Sequence, residues 1–188
     1  MVSLICSMAL AQDLPGEAGA PDEPDRAWVS VAGGLQRPVL NSDILSGIGL
    51  VEVEGGAAFG PVRVGAQIHV RQLNVSHHEI QDVLPGDGAI ASGALVFALP
   101  MELGPIILGP RFAFGAARWH VPMDPEFATE IDSEVGLTAV GARANFGVDT
   151  GLIVSDRAQV YLGLRGDAVY AGTLFAGLDA VLGATATF

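Results

Sequence analysis

Lysine is absent from this chain. All nine cationic side chains are arginines, set against 21 aspartates and glutamates, for a net charge of −12. A surface that grips phosphates needs clustered Lys and Arg, so a nucleic-acid partner is excluded, and a strongly acidic partner with it. Cysteine is nearly absent as well: Cys6 stands alone, so no intramolecular disulfide can staple the fold. Aromatic residues are scarce, at 8 Phe, 2 Tyr and 2 Trp. An uninterrupted apolar helix is also missing. The longest apolar stretch, residues 89–109, contains Pro100, Glu102 and Pro105 among its glycines. Two prolines and a carboxylate make a poor lipid-facing helix, and two strands joined by a tight turn fit better.

What is present is hydrophobicity with charge threaded through it. Half of the 188 residues are hydrophobic and the mean hydropathy is +0.45, yet Arg, Asp and Glu recur inside the apolar stretches. The first 11 residues hold a short apolar run closing on Ala9-Leu10-Ala11, the A-x-A pattern of a signal peptide, though without a positively charged start. Ile5 precedes Cys6 where a lipoprotein would place a small residue, so no lipid anchor is expected. Residues 12–26 combine Pro15, Pro21 and Pro24 with Asp13, Glu17, Asp22, Glu23 and Asp25 and read as a solvated linker. Residues 27–188 suit a single domain.

Within that domain the hydrophobic period is two, the mark of strands with unlike faces. Val62, Val64, Ala66, Ile68 and Val70 share one face while Arg63, Gly65, Gln67, His69 and Arg71 share the other. The pattern recurs over 138–149, over 159–170, and in the last fifteen residues, where Leu174, Leu178, Leu182 and Phe188 share a parity opposite to Asp179. Eight strands are predicted, at about 27–35, 46–59, 62–75, 88–102, 105–121, 134–154, 158–171 and 173–188. Pro110 predicts a bulge or irregular register in the fifth. Tight connections at Gly60-Pro61, Leu103-Gly104-Pro105 and Ser155-Asp156-Arg157 alternate with longer ones at 36–45, 76–87 and 122–133 and a short one near Ala171-Gly172. Short periplasmic turns, longer outer loops and an even strand number describe a transmembrane barrel. The expected fold is therefore all-β, an eight-stranded antiparallel transmembrane up-and-down β-barrel. Trp28, Phe59 and Phe188 are expected at its periplasmic rim, and Trp119 and Tyr170 at its outer rim.

The pattern, the turn spacing and the terminal Phe188 resemble the small eight-stranded bacterial outer-membrane barrels, the group of OmpX-like, OmpA-like and opacity-like surface proteins. That resemblance implies residence in the outer membrane after export through the periplasm. It implies contact with outer-membrane lipid and lipopolysaccharide, and assembly through the barrel-assembly machinery by way of the strand ending at Phe188. Short outer loops and few tyrosines set the chain apart from the adhesive members.

Parity directs Glu52, Glu54, Arg63, Gln67, His69, Arg71, Arg111, Arg143, Asn145, Asp149, Arg165, Asp167 and Asp179 into the lumen. An eight-strand bore is just wide enough for side chains to fill, and lone buried charges are costly, so opposite signs are expected to meet. A turn centred on Gly60-Pro61 sets Glu52 opposite His69 and Glu54 opposite Gln67; one centred on Gly172 sets Arg165 opposite Asp179. The expected function is a non-enzymatic structural or surface barrel with a lumen closed by Arg/Asp/Glu pairs. The alternatives are a narrow pore using Arg63, Arg111, Arg143 and Arg165 with Glu52, Asp149 and Asp179, and a lipid A-modifying enzyme of the same architecture. A soluble calycin-like barrel would need the opposite polarity, apolar inside and charged outside.

No catalytic residue, cofactor or metal is expected. His120 has lipid-facing parity near the outer rim, and Ser76-His77-His78-Glu79 opens a long loop, but neither forms the His-x-Ser arrangement of a deacylase. The five carboxylates from Asp124 to Glu134 lack EF-hand spacing and read as a solvated loop. The pair His77-His78 has no convergent third ligand. Gly55-Gly56 opens no helix after a strand and no Lys follows, so it is not a phosphate-binding loop.

Overall fold

The structure, a computed structural model, describes residues 26–40, 45–75, 88–122, 137–172 and 174–188. The signal-peptide and linker readings, the acidic run from Asp124 to Glu134 and the Ser76–Glu79 segment lie outside the described residues.

Among the described residues nine strands follow one another: β1 (Arg26–Leu40), β2 (Leu45–Phe59), β3 (Val62–Val75), β4 (Gly88–Ala98), β5 (Met101–Leu103), β6 (Ile106–Val121), β7 (Leu137–Ser155), β8 (Ala158–Tyr170) and β9 (Leu174–Thr187). All pairings between them are antiparallel; β1 pairs with β9, and β4 with β6, so the sheet closes on itself. The short β5 continues β4 along the same partner. Ala98 faces Arg111 and Met101 faces Leu108, so the register carries straight across Leu99 and Pro100. The barrel therefore has eight staves. Closure removes every sheet edge, which a strand crossing lipid requires because no water is there to satisfy a free edge.

Pro110 corrects one expectation. The pairing of β6 with β7 runs without a shift from Ile106↔Leu152 to Val121↔Leu137, with Pro110 opposite Val148. No bulge forms there. The interruption falls on the other side, between β4 and β5, where Leu99 N donates to Pro110 O at 3.0 Å. Proline has no N–H to return that bond, so the ladder loses one rung without losing register. The stretch 36–45, expected as a loop, is strand at both ends: β1 runs on to Leu40 and β2 begins at Leu45. A register shift between Pro38 and Leu40 absorbs the proline in that extension.

Local sequence explains the tight turns. Gly60 and Gly104 sit at φ 56° and 68°, and each is followed by a proline. Positive φ at the first central residue and a fixed negative φ at the second are what a type II′ hairpin needs. Thus β2–β3 and β5–β6 join by two residues each. At this end the chain termini of the barrel also meet, where Phe188 N donates to Ala27 O at 2.9 Å. We call it the turn side. The opposite end, where β3 leaves at Val75, β6 leaves at Val121 and Gly172 follows β8, is the loop side.

The polarity of the barrel is inverted relative to a soluble protein. Its buried face carries Glu52, Gln67, His69, Arg71, Arg111, Arg143, Asn145, Arg165, Asp167 and Asp179, while Ile68, Val140, Leu164 and Leu182 are each more than 60% exposed. Water would not tolerate such a surface on a monomer, but a hydrocarbon phase would. The calycin-like alternative fails on this observation. Among the described residues no helix is long and apolar enough to cross a membrane.

Candidate functional site

Alternation along each strand turns every second side chain into the bore, and the staggered closure decides which of them meet. The thirteen side chains directed inward by parity all lie on the buried or half-buried face. The turn registers match expectation as well: Glu52 is paired in the ladder with His69, Glu54 with Gln67, and Arg165 with Asp179.

Three of the four paired arginines, however, reach across the bore to a strand that is not their neighbour. Arg165 of β8 reaches Glu52 on β2, and its Nη2 also meets Asp149 Oδ1 at 3.0 Å. Arg111 of β6 meets Glu54 on β2 and donates to Asn145 Oδ1 at 2.8 Å. Arg71 of β3 meets Asp167 on β8, with Asp179 Oδ2 on β9 at 3.5 Å. Arg143 pairs with an adjacent strand, its Nε donating to Asp167 Oδ1 at 2.6 Å. The expected approach of Asp179 to Arg165 is thus a register pair and not an ion pair. A long guanidinium can span the narrow bore, so Arg71, Arg111 and Arg165 find carboxylates on strands that are not their neighbours.

Gln67 ties these pairs into one network. Its amide nitrogen donates to Glu52 Oε2 at 2.8 Å and to Glu54 Oε1 at 3.0 Å, while its oxygen accepts from Arg143 Nη1 at 2.8 Å. Arg143 Nη1 also donates to Ser92 Oγ at 3.0 Å, and Ser92 lies 3.5 Å from His69 Nδ1. Neutral amides and hydroxyls here take up part of the hydrogen-bonding capacity that the ion pairs leave over, which makes buried charge more tolerable, while Arg71 Nε, Arg111 Nε, Arg143 Nη2 and His69 Nε2 stay without a hydrogen bond among the described residues. Gly163 makes room for this arrangement: a Cβ there would fall 2.5 Å from Asp149 Oδ1 and 3.0 Å from Arg165 Nε.

Two rim residues sit elsewhere than expected. Trp28 is only 4% exposed and packs inside the bore on Ala94, Val96 and Ala113, its Nε1 donating to Ala57 O at 3.3 Å. Trp119 also has inward parity, beside Ala117 and Val121, and meets Phe175 edge-on at 6.2 Å between ring centroids. Parity overrides the interfacial preference in both cases, since Trp28 alternates in step with Ser30 and Ala32. Phe59, Tyr170 and Phe188 do face outward, the last two 60% and 71% exposed. His120 is on the outer face, within 2.9 Å of Thr138 Oγ1.

Sequence reasoning passes over Ser30, Ser92, Gln159 and Tyr161 as members of the site. Tyr161 OH lies 2.9 Å from Ser30 Oγ, and Arg63 Nη2 donates to Gln159 Oε1 at 3.1 Å. Parity is the signal that finds Gln159 and Tyr161, which share a face with Arg165 and Asp167, whereas Ser30 and Ser92 share theirs with small and apolar residues and join the site only through the closure of the barrel.

No protein-family model matches the sequence, and no curated protein matches it. Solved structures do. Neisserial surface protein A is 12% identical, with 87% of this chain and 97% of that one covered at a TM-score of 0.57. The Ail attachment invasion locus protein of Yersinia pestis is 9% identical, covering 87% and 98% at a TM-score of 0.53. This chain has the fold of the small outer-membrane β-barrels. A major outer membrane protein from Thermus thermophilus, 13% identical, covers 86% of this chain and 99% of its own at 0.54. At such identities the likeness is one of backbone, and it carries none of the lumenal residues with it. Shared fold, inverted polarity and strands of up to 19 residues together make the chain a transmembrane barrel of the outer-membrane type. Among the described residues no group of three His, Cys, Asp or Glu side chains is arranged to hold a metal ion.

Proposed function

We propose that the protein is an integral outer-membrane barrel with a structural or surface role, its bore closed by its own Arg–carboxylate network. The observation that carries this reading is the network itself. Arg71, Arg111, Arg143 and Arg165 and the carboxylates of Glu52, Glu54, Asp167 and Asp179 are buried, and each makes at least one ion pair across or along the wall. A selectivity ring needs charges with room for a passing ion between them. These charges are spent on one another. The tight turns and both barrel termini face the periplasm in this reading, and the exposed aliphatic belt contacts lipid and the acyl region of lipopolysaccharide. The barrel-assembly machinery engages β9 through its exposed Phe188. No catalysis is part of the reading: His69 and Ser92 are sealed in the wall of the bore, and His120 is held by a threonine.

Planar-bilayer recording of the purified protein tests closure. The expected result is a silent membrane, and sustained open channels from the wild type would establish the pore reading in its place. Heat-modifiable migration after detergent extraction tests the membrane assignment, which complete extraction into plain buffer would sink. Unchanged lipid A masses in cells with and without the protein are expected for a non-enzyme.

A further inference from the structure

The bore is not closed equally at its two ends. On the turn side a mouth of about 890 Å³ opens beside Arg26, Glu102 and Asp156. It narrows at Arg63, Pro100 and Gln159, which also line an inner recess of about 50 Å³. Trp28, Ile107 and Pro110 form an apolar wall of this recess, and Glu54, Arg111 and Asp149 line it as well.

Arg63 differs from the other four lumenal arginines. Arg71, Arg111, Arg143 and Arg165 each meet a carboxylate within 4 Å, whereas Arg63 hydrogen-bonds to the neutral amide of Gln159 and has Glu102 and Asp149 within electrostatic reach but in no ion pair among the described residues. A guanidinium offers five N–H donors in a planar fork whose geometry suits a carboxylate. Here one side of that fork is held by Gln159 while the residue faces both the mouth and the recess. The carboxylates that line the recess are already engaged, Glu54 by Arg111 and Gln67, Asp149 by Arg165. They offer little to a cation, and they repel a second negative charge on any guest.

We infer that this turn-side recess binds a short-chain monocarboxylate, its carboxylate on the Arg63 guanidinium and its alkyl group against Trp28, Ile107 and Pro110. Charge selects a single anion. Volume selects a small one, because 50 Å³ of open space admits only a few heavy atoms. The apolar wall favours an alkyl tail over a second polar group. Glu54, Arg111 and Asp149 of the sealing network form the floor of this recess, while its anchor, Arg63, makes no ion pair within that network.

The wall itself supplies the reporter. Trp28 lines the recess and Trp119 stands near the loop side, so a Trp119→Phe variant leaves a single indole at the site. Its emission is followed in nonionic detergent micelles during titration with sodium butyrate at constant ionic strength, with 1-butanol and succinate as comparisons. The expected result is a saturable change with butyrate, weaker binding of succinate, and a linear response to butanol. Arg63→Gln should weaken butyrate by about tenfold or more, the loss of a charge-assisted pair, while Arg63→Lys retains most of it. Ala98→Phe, which fills the recess and leaves Arg63 in place, should abolish binding. Heat-modifiable migration confirms that each variant is folded. A response that does not saturate, that saturates equally with butanol, or that survives both Arg63→Gln and Ala98→Phe overturns the site.

Discussion

The two halves of the bore solve the same problem by different chemistry. The turn-side half is polar and partly open: Glu54, Arg111, Asp149 and Tyr161 border a recess that leads to a wide mouth. The loop-side half is packed with hydrocarbon. Ile90, Val121 and Val169 are at most 1% exposed, Leu73 is 4% exposed, and the Trp119–Phe175 pair lies among these strand ends. Between the halves sits the charge network. Water and solutes can therefore approach the network from the turn side, while an apolar seal covers it from the other. The difference teaches that a fully paired set of charges is not by itself the barrier. The barrier is layered, and its polar layer is wetted from one face. Among the described residues buried polar atoms without a hydrogen bond occur both on the loop side, at Asn74 Oδ1 and Trp119 Nε1, and in the charge network, at Arg71 Nε and Arg111 Nε.

The largest expected effect comes from breaking the middle layer. Arg165→Ala strips two carboxylates, Glu52 and Asp149, of their guanidinium at once. Leaving buried charge uncompensated costs about 3–5 kcal/mol, and urea unfolding in lipid vesicles should show a loss of that order. The paired variant Arg165→Met with Glu52→Met should recover much of it, because removing both partners removes the desolvation cost along with the attraction. Recovery would mark the network as a device of closure more than of stability. A double variant no better than Arg165→Ala would contradict that view.

On the outer wall the effect is somewhat smaller. Leu164 is 63% exposed and immediately precedes Arg165, so Leu164→Arg places a guanidinium on the lipid side of the same stave. Near the midplane such a charge costs roughly 2–4 kcal/mol. The same vesicle assay should register it. A neutral result would mean that this wall does not face hydrocarbon.

Gly163→Ala probes the space beside those two positions. The new methyl would sit 2.5 Å from Asp149 Oδ1 and 2.7 Å from Val181 Cγ2, forcing either the ion pair or the wall to move. Overpacking of this kind costs about 1–3 kcal/mol. If displacement of Asp149 is the outcome, a cysteine at Gln159 should still react with aqueous thiol reagents while one at Val169 stays protected. That contrast is the direct measure of the uneven seal, and equal reactivity at both positions would remove it.

Much of this is legible in the alternation. A period of two over 62–71 assigns Arg63, Gln67, His69 and Arg71 to one face, and the Gly60-Pro61 turn then fixes Glu52 opposite His69 by counting alone. Counting cannot say that Arg165 meets Glu52. That contact joins β8 to β2, and which staves face one another depends on the stagger with which the barrel closes, a property of the whole sheet and of no single strand. The tryptophans mislead for a different reason. A general preference of indoles for membrane interfaces competes with the parity of Trp28 with Ser30, and parity is the stricter constraint, since a one-residue slip would turn a whole face outward. Pro110 suggests a break in its own strand, whereas its missing N–H is felt by the partner that would have received it.

The smallest effect belongs to the loop-side seal. Trp119 and Phe175 come from β6 and β9, which are not neighbours in the sheet, so their edge-on contact at 6.2 Å bridges the bore as the arginines do lower down. An aromatic pair of this geometry is worth about 0.5–1.5 kcal/mol beyond the area it buries. A double-mutant cycle on Trp119→Leu and Phe175→Leu should return a coupling energy in that range, and each single change should cost less than Arg165→Ala. The more telling readout is access. Widening the loop side should raise the thiol reactivity of a cysteine at Val169 and leave that of one at Gln159 unchanged, because Gln159 is already open to its own mouth. Should both rise together, the two halves share one gate and the layered barrier gives way to a single cooperative plug.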